Sequence, residues 1–241
     1  MEVIILPAAL DVARAAAGII SRLVAGKPRA VLGLATGASV KQVYAELVLA
    51  HQNQALDFSG VTTFNLDEYV GLSPSHPASF RAFVQEHFLS RVNVDRRRVH
   101  LPPTEGDDLA GLCEKYERDI RAAGGIDLQL LGIGRDGHLG FNEPTSSLAS
   151  RTRIKTLTSA TREVNRPGFG GEEVPLHVVT MGVGTILDPR HCLLVADGPA
   201  KADAVARMVE GPLTAMVPAS ALQLHPHVTV IVDEAAAAGL S

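Results

Sequence analysis

Short apolar runs of strand type alternate with amphipathic segments of helical period, and this alternation constrains the fold more than any other feature. Seven runs are rich in Val, Ile and Leu: Val3–Leu6, Ala30–Leu34, Val61–Phe64, Ile126–Ile133, Leu176–Met181, Cys192–Ala196 and Val228–Val232. Helical segments lie between most of them: Asp11–Ala25, Ser39–Ala50, Ala78–Leu89, Asp107–Ala123 and Ala200–Val209. Near-continuous apolar strands are typical of a sheet covered on both faces. The order predicts an α/β fold, a doubly wound, mostly parallel sheet with helices on both faces.

Length and spacing predict a single domain over residues 1–241, which should bury about 70 to 75% of its unfolded surface. One interval lacks a strong apolar period, and it spans about residues 145–176. It contains "SSLASRTRIKTL" and the glycine-rich "NRPGFGGEE". Segments of this kind in a compact domain are usually functional or disordered. We expect a mobile lid, with a flexible insertion that has no such role as the alternative.

Charge and the first residues of the chain exclude two classes of partner. The chain has 22 Lys and Arg residues against 26 Asp and Glu residues, so the basic excess typical of a nucleic-acid surface is missing. The beginning of the chain is apolar, but Pro7, Asp11 and Arg14 interrupt it before membrane-spanning length, and no basic leader precedes it. We therefore expect no nucleic acid and no membrane among the partners.

The two cysteines bear on the compartment. Cys113 lies on a helical pattern and Cys192 in an apolar run, far apart in sequence. This placement is typical of buried thiols in a reducing compartment, and it predicts a cytoplasmic protein. A disulfide between the two cysteines is the alternative that the sequence leaves open.

Unusual residues gather where the predicted strands end. Four apolar runs are followed by "ATGASV", "NLDEYVGL", "GRDGHLGFNE" and "DGPAK". The carboxyl ends of parallel strands meet at one edge of a sheet, and ligands bind there near the point at which the strand order reverses. Four separate segments are therefore predicted to meet at one site.

The first of these segments predicts an anion site. It places a glycine and two hydroxyls directly before a helix, where free backbone N–H groups and the helix dipole favour a phosphate. Its residues are Thr36, Gly37, Ala38 and Ser39. Lys201, at the start of a later helix, could add a fixed positive charge. The alternatives are that Ser39 is only a helix N-cap and that Lys201 is a solvated surface residue.

The second segment offers a carboxylate with restricted access to water. Asp67 and Glu68 directly follow an apolar run, so one of them is expected to lie near the sheet edge. A carboxylate in such surroundings has a raised pKa and can act as a general base. A helix-capping or turn carboxylate is the alternative.

The third segment holds three groups that can move protons. Asp136, His138 and Glu143 lie in one glycine-rich turn. Carboxylates beside a histidine hold it in one tautomer and keep it basic, which suits proton transfer near neutral pH. The same residue types also ligate cations. However, the chain has no His-x-x-x-His on a helix and no clustered cysteines, so we expect no metal.

Together these segments resemble the glucosamine-6-phosphate deaminase family, also called the glucosamine-6-phosphate isomerase family. The resemblance covers essentially the whole chain and is densest in "FNLDEYVGL", "GIGRDGHLGFNEP" and "SSLASRTRIKTL". It implies a Rossmann-like sheet and the conversion of glucosamine 6-phosphate and water to fructose 6-phosphate and ammonia. It also implies that the reaction needs neither a metal nor an organic cofactor.

The resemblance implies roles for single residues as well. Asp67 would take the proton from C2 of the open-chain sugar and return one at C1. His138 would open the sugar ring as an acid/base group. Asp136 and Glu143 would orient His138 and tune its proton affinity.

The implied phosphate site departs from the family in two places. It would consist of Lys201 and the turn Thr36–Ser39, which reads "TGASV" where the family usually has "TGGTP". Many members also carry an arginine in the lid just before two aromatic residues, where this chain has "NRPGFGG". Arg166 is the nearest candidate for that arginine, offset by about one position.

Some members of the family are hexamers that N-acetylglucosamine 6-phosphate activates at a site between subunits. Ser146, Ser147, Arg153 and Lys155 match polar residues of that regulatory site. The chain ends at Ser241, without the C-terminal extension that completes the site in the regulated members. We expect an unregulated monomer or small homo-oligomer without sigmoidal kinetics.

Two other functions stay open. A 6-phosphogluconolactonase shares the fold and a similar turn, but it usually has a run of small residues after the histidine, where this chain has "LGFNEP". A sugar-phosphate sensor without catalysis would lose proton-transfer groups that this chain keeps. The configuration of the amino sugar, gluco or galacto, also stays open because no residue reads that hydroxyl.

Overall fold

The computed structural model of the chain describes residues 1–241, and it contains two sheets. The strands, in chain order, are β1 (Glu2–Leu6), β2 (Val31–Leu34), β3 (Thr62–Asn65), β4 (Asp67–Tyr69), β5 (Val99–His100), β6 (Leu128–Leu131), β7 (Arg153–Thr156), β8 (His177–Thr180), β9 (Cys192–Ala196) and β10 (Val228–Asp233). The main sheet has the order β1-β10-β9-β6-β2-β3-β5, and all its neighbouring strands run parallel. The predicted α/β fold is confirmed.

The strand order reverses once, and this reversal creates a crevice between the segments that follow β2 and β6. From β2 the chain moves outward through β3 to β5 at one edge, and it then returns to β6 on the other side of β2. The segments that follow β2 and β6 therefore leave the sheet in opposite directions. This switch point is where open α/β sheets bind their ligands, at the carboxyl ends of the strands.

Helices surround the main sheet. They are α1 (Ala9–Gly26), α2 (Ala38–Gln54), α3 (Phe80–Val84), α4 (Leu109–Ala122), α5 (Ser159–Asn165), α6 (Val183–Ile186), α7 (Ala202–Val209) and α8 (Glu234–Ala237). Helices α1 and α2 pack against each other and against β9. Tyr116 of α4 contacts Phe64 of β3, with ring centroids 5.6 Å apart.

Five helices correspond to the segments that the apolar spacing predicted, namely α1, α2, α3, α4 and α7. Their ends follow from local chemistry. Asp108 caps α4 by accepting a hydrogen bond from the N–H of Gly111, and Ser79 caps α3 in the same way. The segment predicted over 78–89 is interrupted, because a π-helical turn over Gln85–Leu89 follows α3.

A small antiparallel sheet with the order β4-β8-β7 lies beside the main sheet. Its middle strand, β8, is the run Leu176–Met181, so the grouping of this run with the parallel strands is wrong. Strands β4, β5 and β7 were not predicted, because none of them is a run of apolar residues. In β7, Arg153 and Lys155 supply no apolar run at all.

The segment 145–176 is folded into β7, α5 and a 3₁₀ turn over Arg166–Phe169. Leu157 and Phe169 of this segment are buried against Tyr69 of β4 and Phe141. The rings of Tyr69 and Phe169 lie 5.2 Å apart at right angles. The segment therefore has a small core of its own, and its movement as a lid stays a prediction.

The main core lies between the large sheet and its helices. Its cluster holds 48 buried residues, whereas the cluster under the small sheet holds six. Burial of one large apolar side chain contributes about 1.5 to 3 kcal/mol, so the large sheet is the better stabilised part of the fold. The strand ends at the switch point therefore hold the side chains that follow them in fixed positions.

Two further findings concern the surroundings of the protein. No helix combines the length and the apolar character that crossing a membrane requires. Cys113 on α4 and Cys192 on β9 are buried free thiols. Burial raises the pKa of Cys113 to about 11 and that of Cys192 to about 12, so neither thiol is reactive at neutral pH.

Candidate active site

Three segments meet at the crevice between β2 and β6. A Cβ atom on Gly132, which follows β6, would lie 3.9 Å from Cγ2 of Val40 in the first turn of α2. The Nζ atom of Lys201 donates a hydrogen bond of 2.6 Å to the carbonyl oxygen of Ile133. The start of α2, the turn after β6 and Lys201 therefore form one cluster.

The start of α2 presents free N–H groups. Its N-cap residue is Gly37, at φ 125°, a conformation that favours glycine, and no side chain caps the helix. Ser39 lies inside the helix, so the alternative in which Ser39 is the N-cap is wrong. Gly37 and Ala38 are exposed, while Thr36 and Ser39 are half-buried. The turn is therefore open to an anion, which unpaired N–H groups and the helix dipole attract.

Lys201 brings a positive charge to this cluster. It ends a 3₁₀ turn that leads into α7, and it is half-buried. Burial, followed by the charge of Arg135, lowers the pKa of its ammonium group. The only hydrogen bond from the ammonium group goes to a carbonyl oxygen, so its charge is not cancelled by a carboxylate.

Asp67 is a buried carboxylate without hydrogen bonds. It is the first residue of β4 and is 5% exposed, and no N–H or O–H group in the chain donates to it. Burial, and to a lesser extent repulsion from Glu68, raises the pKa of Asp67 to about 8. A carboxylate with such a pKa is a much stronger base than one in water.

Glu68 has the opposite surroundings, although it is the next residue and is also buried. Its carboxylate accepts hydrogen bonds from the N–H groups of Tyr69, Phe80 and Arg81 and from the hydroxyl of Ser79. Four donors occupy this carboxylate, and three of them belong to the start of α3. Glu68 is therefore the helix-capping carboxylate, and Asp67 is the one left free for chemistry.

Asp67 and His138 border the same turn. Gly140 has φ +56°, and a Cβ atom there would lie 2.9 Å from Oδ2 of Asp67. At the other end of the turn, a Cβ atom on Gly134 would overlap the ring of His138. The two glycines leave the space that the two functional side chains occupy. Asp67 therefore lies against the turn over residues 134–140, which carries His138.

Asp136 orients His138. Oδ1 of Asp136 lies 2.6 Å from Nδ1 of His138, and the same oxygen accepts a 3.2 Å hydrogen bond from the His138 N–H. The hydrogen bond from His138 lowers the pKa of Asp136 to about 2. The ionised carboxylate favours the tautomer that carries its proton on Nδ1. Nε2 of His138 has no partner in the chain, so it is free to exchange a proton with a ligand.

Glu143 is buried near the end of the same motif, but it does not contact His138 through a hydrogen bond. Its Oε1 accepts hydrogen bonds from the hydroxyls of Thr158 and Thr161. Its Oε2 is buried without a hydrogen-bond partner, and Nζ of Lys155 lies 4.0 Å from it. The expected orientation of His138 by Glu143 is therefore not formed in this structure, and Asp136 alone holds the ring.

The other predicted residues lie on the segment 145–176. Arg166 forms an ion pair of 2.8 Å with Glu163, and both side chains are exposed.

The four residues matched to a regulatory site have local partners. Lys155 donates to the hydroxyl of the buried Ser146, and Arg153 donates to the carbonyl oxygen of Arg151. The hydroxyl of Ser147 accepts from the N–H of Ala149. Of these, Lys155 and Ser146 adjoin Glu143, so this part of the predicted regulatory cluster borders one of the acid/base candidates.

Sequence reasoning missed Arg135, Thr158 and Thr161. Arg135 directly precedes Asp136 in the proton-transfer motif, and that adjacency was an available signal. Nothing in the sequence marks the two threonines, because they reach Glu143 from α5 and its N-cap position. Their contacts depend on how the segment 145–176 folds back.

Two further features of the structure lie apart from this site or are absent from it. A cavity of about 530 Å³ opens at the opposite, amino edge of the sheet, between the starts of β1, β9 and β10, and it contains none of the acid/base candidates. No group of three or more His, Cys, Asp or Glu side chains is arranged to hold a metal ion.

Fold and site together define an α/β protein with an anion-binding turn, a histidine–aspartate pair and a free buried carboxylate at the switch point. The chain belongs to the family of glucosamine-6-phosphate isomerases and 6-phosphogluconolactonases, whose model matches residues 7–231.

Relatives of known name agree with this assignment. A glucosamine-6-phosphate deaminase from Arthrobacter sp. (strain FB24) is 55% identical over 241 residues, which cover 100% of this chain and 93% of the relative. One from Shewanella loihica is 50% identical and covers 100% of this chain and 90% of its own length.

Solved structures give the same picture. A monomeric glucosamine-6-phosphate deaminase matches with a TM-score of 0.95 at 41% identity, over 99% of this chain and 100% of that one. The 6-phosphogluconolactonase from Trypanosoma brucei matches with a TM-score of 0.81 at 17% identity, over 100% of this chain and 98% of that one. At such low identity the second likeness concerns the fold alone.

Proposed function

We propose that this chain converts glucosamine 6-phosphate and water to fructose 6-phosphate and ammonia, by aldose–ketose isomerisation and deamination. One observation carries the proposal: relatives at 50 to 55% identity along the whole chain are glucosamine-6-phosphate deaminases, whereas a 6-phosphogluconolactonase of the same fold is only 17% identical. The geometry supports each step of the reaction.

The phosphate group binds at the start of α2. The free N–H groups of the turn Thr36–Ser39 donate to the phosphate oxygens, and Lys201 faces them with a positive charge. This anchor fixes the sugar against the two turns that follow β2 and β6. The reacting carbons then lie beside the turn over residues 134–140.

His138 opens the sugar ring. Opening requires a proton to leave the anomeric hydroxyl and a proton to reach the ring oxygen. Asp136 holds the Nδ1 proton of His138, so Nε2 is the atom that accepts and then donates the moving proton. An imidazole suits this exchange because the same ring nitrogen can accept a proton and give it back.

Asp67 then moves a proton from C2 to C1. In the open-chain aldehyde the proton on C2 is weakly acidic, and a carboxylate in water is too weak a base to remove it efficiently. Burial gives Asp67 the higher basicity that this step needs. Removal of the C2 proton gives an enolamine, and return of the proton at C1 leaves an imine at C2.

Water completes the reaction by adding to the C2 imine, after which ammonia leaves and the ketose phosphate remains. The C1 carbonyl oxygen accepts the electron pair when the C2 proton leaves, and the nitrogen lone pair forms the C2 imine when C1 is protonated, so this route uses no cofactor. Glu143 stays a proposed acid/base residue of the site, with Oε2 as its free oxygen.

An assay of two products tests the proposal. Purified protein is given glucosamine 6-phosphate, galactosamine 6-phosphate or 6-phosphogluconolactone, each with and without a chelator, and ammonia and fructose 6-phosphate are measured. We expect ammonia and fructose 6-phosphate in equal amounts from the gluco substrate. Lactone opening without ammonia release would assign the chain to the other branch of its family. Binding without any turnover would make it a sensor.

We further propose that the protein acts in the cytoplasm as a monomer. The monomeric relative at 41% identity and the two buried free thiols support this. Light scattering at assay concentration tests the oligomeric state. A hyperbolic dependence of rate on substrate, unchanged by N-acetylglucosamine 6-phosphate, is the expected kinetic result.

A further inference from the structure

The anion site adjoins an arginine that neither fold nor resemblance singled out. Arg135 lies in the turn after β6, between Gly134 and Asp136, and it is exposed. Its guanidinium group has no ion pair and no hydrogen bond within the chain. Its neighbour Asp136 already binds His138, so the adjacent carboxylate does not occupy the guanidinium group.

Arg135 and Lys201 lie close together. Nζ of Lys201 is bonded to the carbonyl oxygen of Ile133, two residues before Arg135, and the charge of Arg135 contributes to the lowered pKa of Lys201. Asp136 and Asp197 offset part of this repulsion, but neither forms an ion pair with Lys201. Two neighbouring cations without a bound carboxylate repel each other until an anion joins them.

The lid arginine predicted from the resemblance is engaged elsewhere. Arg166 pairs with Glu163 at 2.8 Å on the exposed end of α5. Using Arg166 for phosphate would require breaking this ion pair. Arg135 has no ion pair to break, and its backbone belongs to the turn that directly follows β6.

We propose that Arg135 is the second phosphate-binding cation of this protein, in place of the lid arginine of the family. This inference rests on the proposed function. A guanidinium group matches two phosphate oxygens at once, whereas Lys201 acts as a point charge. The phosphate would then be bound entirely by residues that follow strands of the main sheet, without a contribution from the segment 145–176.

Phosphate affinity is the direct test. Isothermal calorimetry with inorganic phosphate and with glucosamine 6-phosphate compares the wild type with Arg135→Gln, Arg135→Lys, Arg166→Gln and Arg96→Gln. We expect Arg135→Gln to raise the dissociation constant of both ligands by about tenfold to a hundredfold, the usual effect of losing a charged hydrogen bond. Arg135→Lys should restore part of that loss.

Arg96→Gln is the matched control, because Arg96 is an exposed arginine before β5 at the amino edge of the sheet. It should change neither affinity. In assays of ammonia release, the loss in Arg135→Gln should appear in KM, with kcat within about twofold, because the phosphate is bound equally before and during the reaction. A loss confined to kcat would show that Arg135 acts on Asp136 and His138, and the proposal would be wrong.

The proposal is also wrong if Arg135→Gln binds phosphate like the wild type, or if Arg166→Gln weakens binding as much. The binding data keep this inference apart from the proposed function. If the wild type releases no ammonia but binds phosphate through Arg135, the reaction assignment fails and the anion site stands. If ammonia is released and Arg135→Gln binds phosphate normally, only the anion-site proposal fails.

Discussion

Two buried carboxylates in different parts of the molecule have opposite properties. Asp67 on β4 is 5% exposed, and Glu117 on α4 is 6% exposed. Burial pushes the pKa of both upward, yet the pKa of Asp67 is raised to about 8 and that of Glu117 is lowered. Two carboxylates with similarly low exposure therefore have pKa values that are shifted in opposite directions.

Hydrogen bonds account for the difference. Glu117 accepts from the N–H and the hydroxyl of Thr152, from the hydroxyl of Thr185 and from Arg151. These donors outweigh the effect of burial on its pKa. Asp67 accepts from no group in the chain. A buried carboxylate surrounded by donors stabilises the fold, whereas one left without donors is available for reaction.

The largest expected effect is on activity. We expect Asp67→Asn to lower kcat by about a thousandfold or more, since it removes a general base while keeping the shape of the side chain. Ammonia release and solvent exchange of the C2 proton both measure the loss. Rapid exchange in this variant would remove Asp67 from the role.

Glu117→Gln is the control for that result, because it alters an equally buried carboxylate that the reaction does not use. We expect it to keep kcat near the wild-type value. In the wild type, kcat/KM should rise with pH up to about 8, because Asp67 must lose its proton before it can accept one. A profile that is flat from pH 6 to 9 would contradict this.

The second prediction concerns stability. We expect Glu117→Ala to lower the free energy of unfolding by about 3 to 5 kcal/mol, because it strands the buried hydroxyls of Thr152 and Thr185 and releases Arg151. Urea unfolding followed by circular dichroism measures the change. Asp67→Ala leaves no donor without a partner, so it should lower the free energy of unfolding clearly less. An equal loss in the two variants would contradict the contrast between Asp67 and Glu117.

The third prediction uses pH to separate the two carboxylates. Their ordinary pKa is about 4. Below that pH the Asp67 carboxyl is protonated in both states and does not lower the free energy of unfolding. As pH rises toward 8 the free energy of unfolding falls, because Asp67 ionises in the unfolded chain before it ionises in the folded one. The stability advantage of Asp67→Asn over the wild type should therefore grow by about 5 kcal/mol between pH 4 and pH 9, at about 1.4 kcal/mol for each pKa unit.

Glu117 should behave in the opposite way. Its lowered pKa contributes stability above pH 4, and that contribution is lost as pH falls through the folded-state pKa. The cost of Glu117→Gln should therefore shrink in acid. Unfolding curves for both variants at a series of pH values test the two signs, and the same sign for both would refute the comparison.

The smallest effect comes from a single donor. Thr185→Val removes the hydroxyl that donates a hydrogen bond to Glu117, and it should lower the free energy of unfolding by about 1 kcal/mol. Thr185→Ser keeps the hydroxyl and should retain most of the stability. Equal losses in the two variants would mean that packing, and not the hydrogen bond, is responsible.

The sequence predicted the main sheet well because its strands are near-continuous apolar runs, which burial on both faces requires. It failed for the small sheet. Strand β7 has charged residues at alternate positions, and β4 consists of Asp67, Glu68 and Tyr69. These strands exist because β8 supplies the backbone partners, and pairing of that kind leaves no mark in either strand alone.

The site was predictable to the level of segments. Residues after strand ends must meet at one edge, so the turn Thr36–Ser39, Asp67 and His138 could be grouped. The residue pattern alone could not decide between Asp67 and Glu68, because that choice depends on donors at Ser79 and Arg81 that fold back onto Glu68, and only the family resemblance pointed to Asp67. The partners of Glu143 were hidden for the same reason.

Strand β8 joins β4, which carries Asp67, to β7 within the segment 145–176. His138 instead is attached to the large sheet through the turn after β6. If the segment 145–176 moves as the predicted lid, the shift would reach Asp67 through the backbone hydrogen bonds that β8 shares with β7 and β4. Closure of the segment over the sugar would then also set the distance between Asp67 and His138.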